Sequence, residues 1–312
     1  ADLAELIAGQ AEDLVDDLMA RGSFDAVADL AYPFPLKTIG DLIGLPPGGR
    51  ADLMICAEAS LQAHGPLDDH TVRALLDLEH VFAFLATELA AARAKAPAPA
   101  TPTAATTRPR PAASDPAPLS PALETPEAAP RARDAGAAEQ APIVHLLKAF
   151  AMPCVHTVAA GLTGMLWLLA THPEAWHALR VDPSLVSAAV EESLRLETPV
   201  QMYSRVTTRE VHIGDTLIPE GERVLLLLGA ANRDPRKWPA PDRFDPHRNP
   251  ADHFVDGAQP TFARTLAKAH LCAILDALVR KASHLYLDGH PRRRLTAGTR
   301  TLASLPLYVS PG

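Results

Sequence analysis

The chain has 312 residues, a formal net charge of −8 at pH 7 and an apolar content of 47%. This length allows one large domain or two small ones, with a sizeable core. The negative charge argues against nucleic acid as a partner, because phosphate binding needs a basic face. The cysteines Cys56, Cys154 and Cys272 are far apart, which fits a reducing compartment and forms neither a disulfide framework nor a zinc pattern. No apolar run approaches the roughly 18 residues of a membrane span. We therefore expect a cytoplasmic protein with no membrane segment.

The first 95 residues predict helices separated by prolines. Apolar residues recur at helical spacing from Leu3 to Leu18, and this helix is expected to end near Gly22. Short helical pieces broken by prolines follow. A second long helix is predicted from about residue 70 to residue 95. Residues 1–95 therefore form the N-terminal helical part of the fold.

The composition changes abruptly in residues 96–142. This segment holds eleven of the 30 prolines and no aromatic residue. It cannot bury enough apolar surface to offset the entropy of ordering the chain. We predict that it is a disordered linker or insertion.

Residues 143–312 form the C-terminal part. A long apolar helix is predicted over about residues 143–170, followed by an amphipathic helix in "SLVSAAVEESLRLETP". Strand patterns begin at Gln201 and are punctuated by glycine turns. A last helix is expected at about 263–281, before a short β tail. The fold class predicted from these elements is mainly α with a small β portion.

An ordered set of motifs follows the central helix. Glu192 and Arg195 in "AVEESLR" lie three residues apart, so their side chains can meet on one helical turn. Arg205, "GAANRDP" and "PDRFDPHR" come next. This set resembles the C-terminal half of bacterial cytochromes P450. The resemblance implies a cytochrome P450-like fold that is short at its N-terminus, and a buried triad of Glu192, Arg195 and Arg243. It also implies that Arg205 corresponds to the arginine that pairs with a heme propionate.

The loop before the last helix departs from the family pattern. In the family this loop supplies the cysteine thiolate that binds heme iron. Aligning the last helix places Phe254 and Gly257 at the Phe and second Gly positions of the loop. Gln259 then stands at the histidine position and Thr261 at the cysteine position. We therefore expect no heme cofactor and no bound metal.

The oxygen-activating helix of the family is also altered. Its acid–threonine step aligns with His156 and Thr157, so the threonine is present and a histidine stands in place of the acid. The two residues are weak candidates for acid–base chemistry. Local packing or hydrogen bonding is the alternative interpretation.

Three functions follow from these departures. The first is a heme-free, non-catalytic auxiliary protein, because the chain resembles the P450-like proteins that activate deoxysugar glycosyltransferases in macrolide and polyketide antibiotic biosynthesis. It would bind or stabilise the transferase as a hetero-oligomer. The second is a heme-independent enzyme that uses His156 and Thr157 as acid and base. The third is an inactive or truncated P450 monooxygenase.

Overall fold

The described residues lie on both sides of the predicted linker. The computed structural model describes residues 3–43, 72, 73, 76, 83, 87, 152–248, 253, 262–296 and 298–312. The linker at 96–142 and nearly all of the helix predicted at 70–95 lie outside them. The division into 1–95, 96–142 and 143–312 therefore stays a prediction.

Helices make up most of the described chain. Those of the N-terminal part are α1 (Leu3–Arg21), a π-helical segment (Ala26–Ala31) and α2 (Pro33–Ile43). Those of the C-terminal part are α3 (Met152–Thr171), α4 (Pro173–Val181), a 3₁₀ turn (Pro183–Leu185), α5 (Val186–Leu196), α6 (Leu228–Ala231) and α7 (Phe262–Lys281). The first and last helices agree with the sequence prediction to within about one residue.

The strands are short and mostly paired in twos. They are β1 (Ser23–Asp25), β2 (Met202–Val206), β3 (Val211–Ile213), β4 (Thr216–Ile218), β5 (Arg223–Leu227), β6 (Ala282–Leu287), β7 (Arg292–Arg293), β8 (Leu302–Ser304) and β9 (Pro306–Pro311). In the described part of the chain, β1, β9 and β6 form a three-stranded antiparallel sheet, and β2–β5, β3–β4 and β7–β8 form two-stranded ribbons. The predicted fold class, mainly α with a small β portion, is confirmed.

The core is built where three helices converge. Helix α3 packs against both α5 and α7, and α7 also packs against α1. Gly161 permits this approach, because a Cβ at this position would lie 3.2 Å from side-chain atoms of Leu194 on α5 and Leu271 on α7. One buried apolar cluster extends from α1 to β9. The described residues on the two sides of the linker therefore share a single core.

The β3–β4 hairpin shows how glycine directs a turn. Its two-residue loop begins with Gly214, whose φ is 58°. This left-handed value favours glycine, and glycine at the first loop position is typical of a tight hairpin turn. The strand ends predicted at this Gly-Asp pair are therefore confirmed.

Candidate functional site

The Glu192–Arg195 pair forms as the spacing in α5 predicts. The Arg195 Nε atom donates to Glu192 Oε2 at 2.7 Å, and its Nη2 donates to Oε1 at 2.8 Å. Both side chains are completely buried. Arg195 Nη1 also donates to the carbonyl oxygens of Asn232 and Pro241, at 2.7 and 2.8 Å. The guanidinium thus satisfies its hydrogen bonds while it ties α5 to the irregular segment after α6.

The third member of the cluster is Arg248, and the prediction of Arg243 is wrong. The Arg248 Nε atom donates to Glu192 Oε1 at 3.0 Å. Arg243 is exposed, and only its backbone carbonyl takes part, accepting from Arg195 Nη2 at 3.4 Å. The backbone amide of Asp245 also donates to Glu192, at 3.3 Å. The chain between 232 and 248 wraps around the pair, and this course brings the later arginine to the carboxylate.

This cluster has a structural role. A buried carboxylate is tolerated only when charges and hydrogen bonds replace the water that it loses. Glu192 receives donors from Arg195, Arg248 and one backbone amide. The carboxylate therefore accepts four hydrogen bonds, and these hold segments of the fold together.

Arg205 lies on the exposed face of β2. Its Nη1 donates to the carbonyl of the neighbouring Ser204 at 2.9 Å, and its guanidinium lies 4.9 Å from the centre of the Tyr203 ring. Its role as a propionate partner stays a prediction. The contacts that the structure gives for its side chain, to Ser204 and Tyr203, are both local.

His156 and Thr157 lie on α3 at the edge of the core. His156 is buried, and its ring meets Tyr32 edge-on with centroids 5.9 Å apart. Thr157 is half-buried. Both residues make further interactions. Their packing against the N-terminal part is compatible with a local structural role, and their assignment as acid and base stays a prediction.

The predicted heme-loop positions Phe254, Gly257, Gln259 and Thr261 lie outside the described residues. His253 and Arg264, which stand before and after this loop in the sequence, belong to a cluster around Glu191 that sequence reasoning missed. Lys268 Nζ lies 2.7 Å and Arg264 Nη2 3.2 Å from this carboxylate. The buried His253 places Nδ1 at 3.5 Å. The adjacent acids "EE" carried no signal that Glu192 is fully buried on α5 and that the Glu191 side chain is only 12% exposed.

The electrostatics of this second cluster favour an ionised acid. Burial raises the pKa of Glu191, but the hydrogen bond from Lys268 and the charges of His253, Lys268 and Arg264 outweigh it. The pKa is therefore held below its usual value. The ionised Glu191 therefore pairs with Arg264 and Lys268 near the start of α7.

A third cluster ties the β7–β8 hairpin to the core and was also missed. Glu197 accepts from Arg300 Nε at 2.7 Å and from Arg293 Nη2 at 2.9 Å. The Arg293 guanidinium also lies 4.1 Å from the Trp167 ring centre, a favourable cation–π arrangement. The partners are about a hundred positions apart, so no local pattern could reveal them.

A thiolate-bound heme needs an ionised cysteine as its axial ligand. Cys272 is the free cysteine whose side chain is described, and it lies on α7. Burial raises the pKa of its thiol to about 11. Cys272 lies about ten residues into α7 and not at the loop position that the family uses, so it does not fit the family's heme ligand. Within the described ranges, no cluster of three or more His, Cys, Asp or Glu side chains could hold a metal ion.

Comparisons with known proteins identify the family. The Cytochrome P450 family model matches residues 131–253. Cytochrome p450 CYP199A2 of Rhodopseudomonas palustris is 33% identical over 99% of this chain and 69% of its own length. The biotin biosynthesis cytochrome P450 of Bacillus subtilis is 30% identical over 94% of this chain and 69% of its own. The chain belongs to the cytochrome P450 family.

Solved structures agree on the fold. One, reported with unusual cytochrome p450-like monooxygenases of microbial secondary metabolism, matches with a TM-score of 0.75 and 24% identity. The match covers 99% of this chain and 75% of that structure. At this identity the match supports the P450 fold alone.

The expectation of no heme cofactor is wrong. Relatives that are 30–33% identical over nearly the whole chain point to heme as the cofactor of this family. The expectation was drawn from departures at a few family positions, above all Thr261 and His156, whereas the family evidence covers almost all of the sequence. The described side chains alone still do not supply a thiolate ligand, so we derive no chemical step through heme.

Among the helices in the described ranges, none combines the length and the apolar character that a membrane span requires.

Proposed function

We propose that this P450-family chain acts as an auxiliary protein that binds and activates, or stabilises, a partner enzyme of secondary metabolism. A deoxysugar glycosyltransferase is the expected class of partner. The proposal concerns the role of the chain and leaves heme as the family's cofactor. It differs from direct oxidation of a substrate by this chain.

One contrast supports the proposal. The buried Glu192 cluster, which maintains the scaffold, places four hydrogen-bond donors on one carboxylate. In the alignment of the last helix, by contrast, the position of the thiolate ligand is occupied by Thr261. A hydroxyl lacks the electron donation that favours O–O cleavage. A scaffold kept without this donor suits a protein that acts through binding.

A second candidate is a P450 monooxygenase. It is favoured by the relatives, which are named as cytochromes P450 and align with nearly all of this chain. The two candidates differ in one measurable property, the presence of a thiolate on heme iron.

The first experiment is spectroscopic. The purified chain is loaded with hemin, reduced and exposed to carbon monoxide. We expect no thiolate-type absorption band for the natural chain. We expect Thr261→Cys to produce one, because it restores the donor at the aligned position. Thr265→Cys, four residues later in the sequence and on α7, is the matched control and should not produce the band.

The second experiment measures the partner. The turnover of a deoxysugar glycosyltransferase is measured with and without this chain. A rise in turnover and a complex on gel filtration support the auxiliary role. A thiolate band in the natural chain, together with reductant-dependent oxygen consumption, would instead establish the monooxygenase. A colourless chain that neither binds nor activates the transferase would also reject the auxiliary proposal.

A further inference from the structure

Guanidinium groups from the β7–β8 hairpin and from the residues after α6 meet at the C-terminal end of α5. Glu197, the residue after α5, accepts from Arg300 Nε at 2.7 Å and Nη2 at 3.0 Å, and from Arg293 Nη2 at 2.9 Å. Arg233 Nη2 donates to the carbonyl of the preceding residue, Leu196, at 2.8 Å. The Glu197 side chain is only 8% exposed. The cations therefore gather around one nearly buried carboxylate.

Positive charge is in excess in this arginine cluster, which consists of Arg233, Arg293 and Arg300. In the described part of the chain, the acids that pair with it are Glu197 and Asp242, and the Asp242 side chain is 79% exposed. Burial lowers the pKa of Arg293, although Glu197 raises it. The charges of Arg300 and Arg233 lower this pKa further. Since the guanidinium has two like charges beside it, a further anion at this place would stabilise it.

The cluster has N–H donors that Glu197 does not use. A guanidinium carries several donors in a planar fork. Within the described ranges, the hydrogen bonds of Arg293 and Arg300 all go to Glu197, through one nitrogen of Arg293 and two of Arg300. The two side chains are 32% and 35% exposed. The Arg293 guanidinium also lies 4.1 Å from the centre of the Trp167 ring, which restricts its orientation. The donors that point away from Glu197 can therefore reach an acceptor that arrives from solvent.

We propose that Arg293 and Arg300 bind an oxyanion, the phosphate or carboxylate group of a small-molecule ligand, with Arg233 adding to the attraction. The planar fork of arginine matches such a group with two parallel hydrogen bonds, and Arg300 already holds Glu197 in this way. A second oxyanion would meet the remaining donors and offset the excess positive charge. The site uses neither heme nor the Glu192 cluster, so it is compatible with either of the two functions considered above.

Thermal unfolding of the full chain in the presence of oxyanions tests this site. Sodium phosphate and sodium acetate, at about 20 mM, are compared with sodium chloride of equal ionic strength. An oxyanion bound with a dissociation constant of about 1 mM stabilises the folded chain by mass action and should raise the unfolding midpoint by about 2–5 °C. A response to phosphate alone identifies a phosphate group as the ligand, and a response to acetate as well extends the ligand to carboxylates.

Variants of neighbouring arginines locate the response. Arg293→Gln removes the cation that lies between Glu197 and Trp167, and it should abolish the rise in the midpoint. Arg292→Gln is the matched control, because Arg292 precedes Arg293 on β7, is exposed and takes no part in the cluster. Each variant is compared with itself with and without the oxyanion, so a lower starting midpoint does not imitate lost binding. Arg293→Lys keeps the charge without the fork, and it should respond more weakly than the natural chain even if Arg293→Gln does not fold.

Trp167 provides an independent readout of the same site. Its ring contacts the Arg293 guanidinium, so an oxyanion that binds this group should change the Trp167 fluorescence. The change should be absent in Trp167→Phe. Equal effects of phosphate and chloride at the same ionic strength would overturn the proposal. So would a rise in the midpoint that Arg293→Gln retains, or a fluorescence change that persists in Trp167→Phe, because the anion would then bind elsewhere.

Discussion

Arg195 and Glu192 share two hydrogen bonds in a part of the core from which solvent is excluded. Their side chains are both fully buried. Replacing one partner of such a pair leaves an uncompensated charge, which costs about 3–5 kcal/mol. We therefore expect Arg195→Leu to lower the free energy of unfolding by this amount, as measured by urea titration. The exposed pair of Arg236 and Asp234 provides the control, and Arg236→Ala should leave the unfolding midpoint unchanged. Equal midpoints for the two variants would refute the structural role.

The identity of the third cluster member can be tested directly. The Arg248 guanidinium donates to Glu192 and to the carbonyls of Pro239 and Ala240. Arg248→Ala should cost about 1.5–3 kcal/mol, the usual range for a hydrogen bond to a charged group. Arg243→Ala should change stability by less than about 0.5 kcal/mol, because its side chain is exposed. Chemical unfolding of both variants gives the comparison, and the reverse order would favour the sequence-based triad.

The helices and the Glu192–Arg195 pair could be predicted because their patterns are local. Periodicity over one helix identified α1 and α7, and a spacing of three residues identified the pair. The sequence could not show that Arg248, and not Arg243, contacts Glu192. It depends on the path of an irregular segment, for which the sequence has no repeating pattern. The Arg293–Glu197 contact joins residues 96 positions apart, and only tertiary structure brings them together.

The heme question shows a different limit. Departures from the family pattern at a few positions led to the expectation of no heme, whereas similarity along the whole chain points to heme. The loop positions from Phe254 to Thr261 are outside the described residues. The residue aligned with the ligand position, Thr261, bears only on the axial ligand. Similarity along the whole chain bears on which cofactor the family uses.

Replacing glycine by alanine is expected to change the stability of the fold in opposite directions at Gly164 and at Gly9. A Cβ at Gly164 on α3 would lie 2.9 Å from the Cβ of Glu197, an atom fixed close to the backbone. Gly164→Ala should therefore destabilise the fold by about 1–3 kcal/mol, as overpacking does. A Cβ at Gly9 on α1 meets nothing within 4 Å, so Gly9→Ala should stabilise by about 0.5–1 kcal/mol through helix propensity. Thermal unfolding measures both, and shifts of the same sign would contradict the packing of α3 on Glu197.

The buried His270 predicts a specific loss of stability in acid. Burial lowers the pKa of this histidine from about 6.5 to about 4, and a hydrogen bond to the carbonyl of Leu266 offsets the effect only in part. Its ring packs edge-on against Phe34, with centroids 4.8 Å apart. Protonation would place a charge in this apolar contact between α7 and α2.

The direction of the pH effect follows from the difference in the pKa of His270 between the folded and the unfolded chain. Between pH 6.5 and pH 4 the unfolded chain binds a proton at His270 more readily than the folded chain does. The contribution of neutral His270 to the free energy of unfolding is therefore complete above pH 6.5 and is lost as the pH falls towards 4. With about 1.4 kcal/mol for each pKa unit, the loss is on the order of 3 kcal/mol.

Urea unfolding of the natural chain and of His270→Leu, at pH values from about 7.5 to about 4.5, measures this difference. His270→Leu should flatten the pH dependence, whereas the exposed His284→Gln should not. Parallel curves for the natural chain and His270→Leu would show that other groups cause the acid sensitivity.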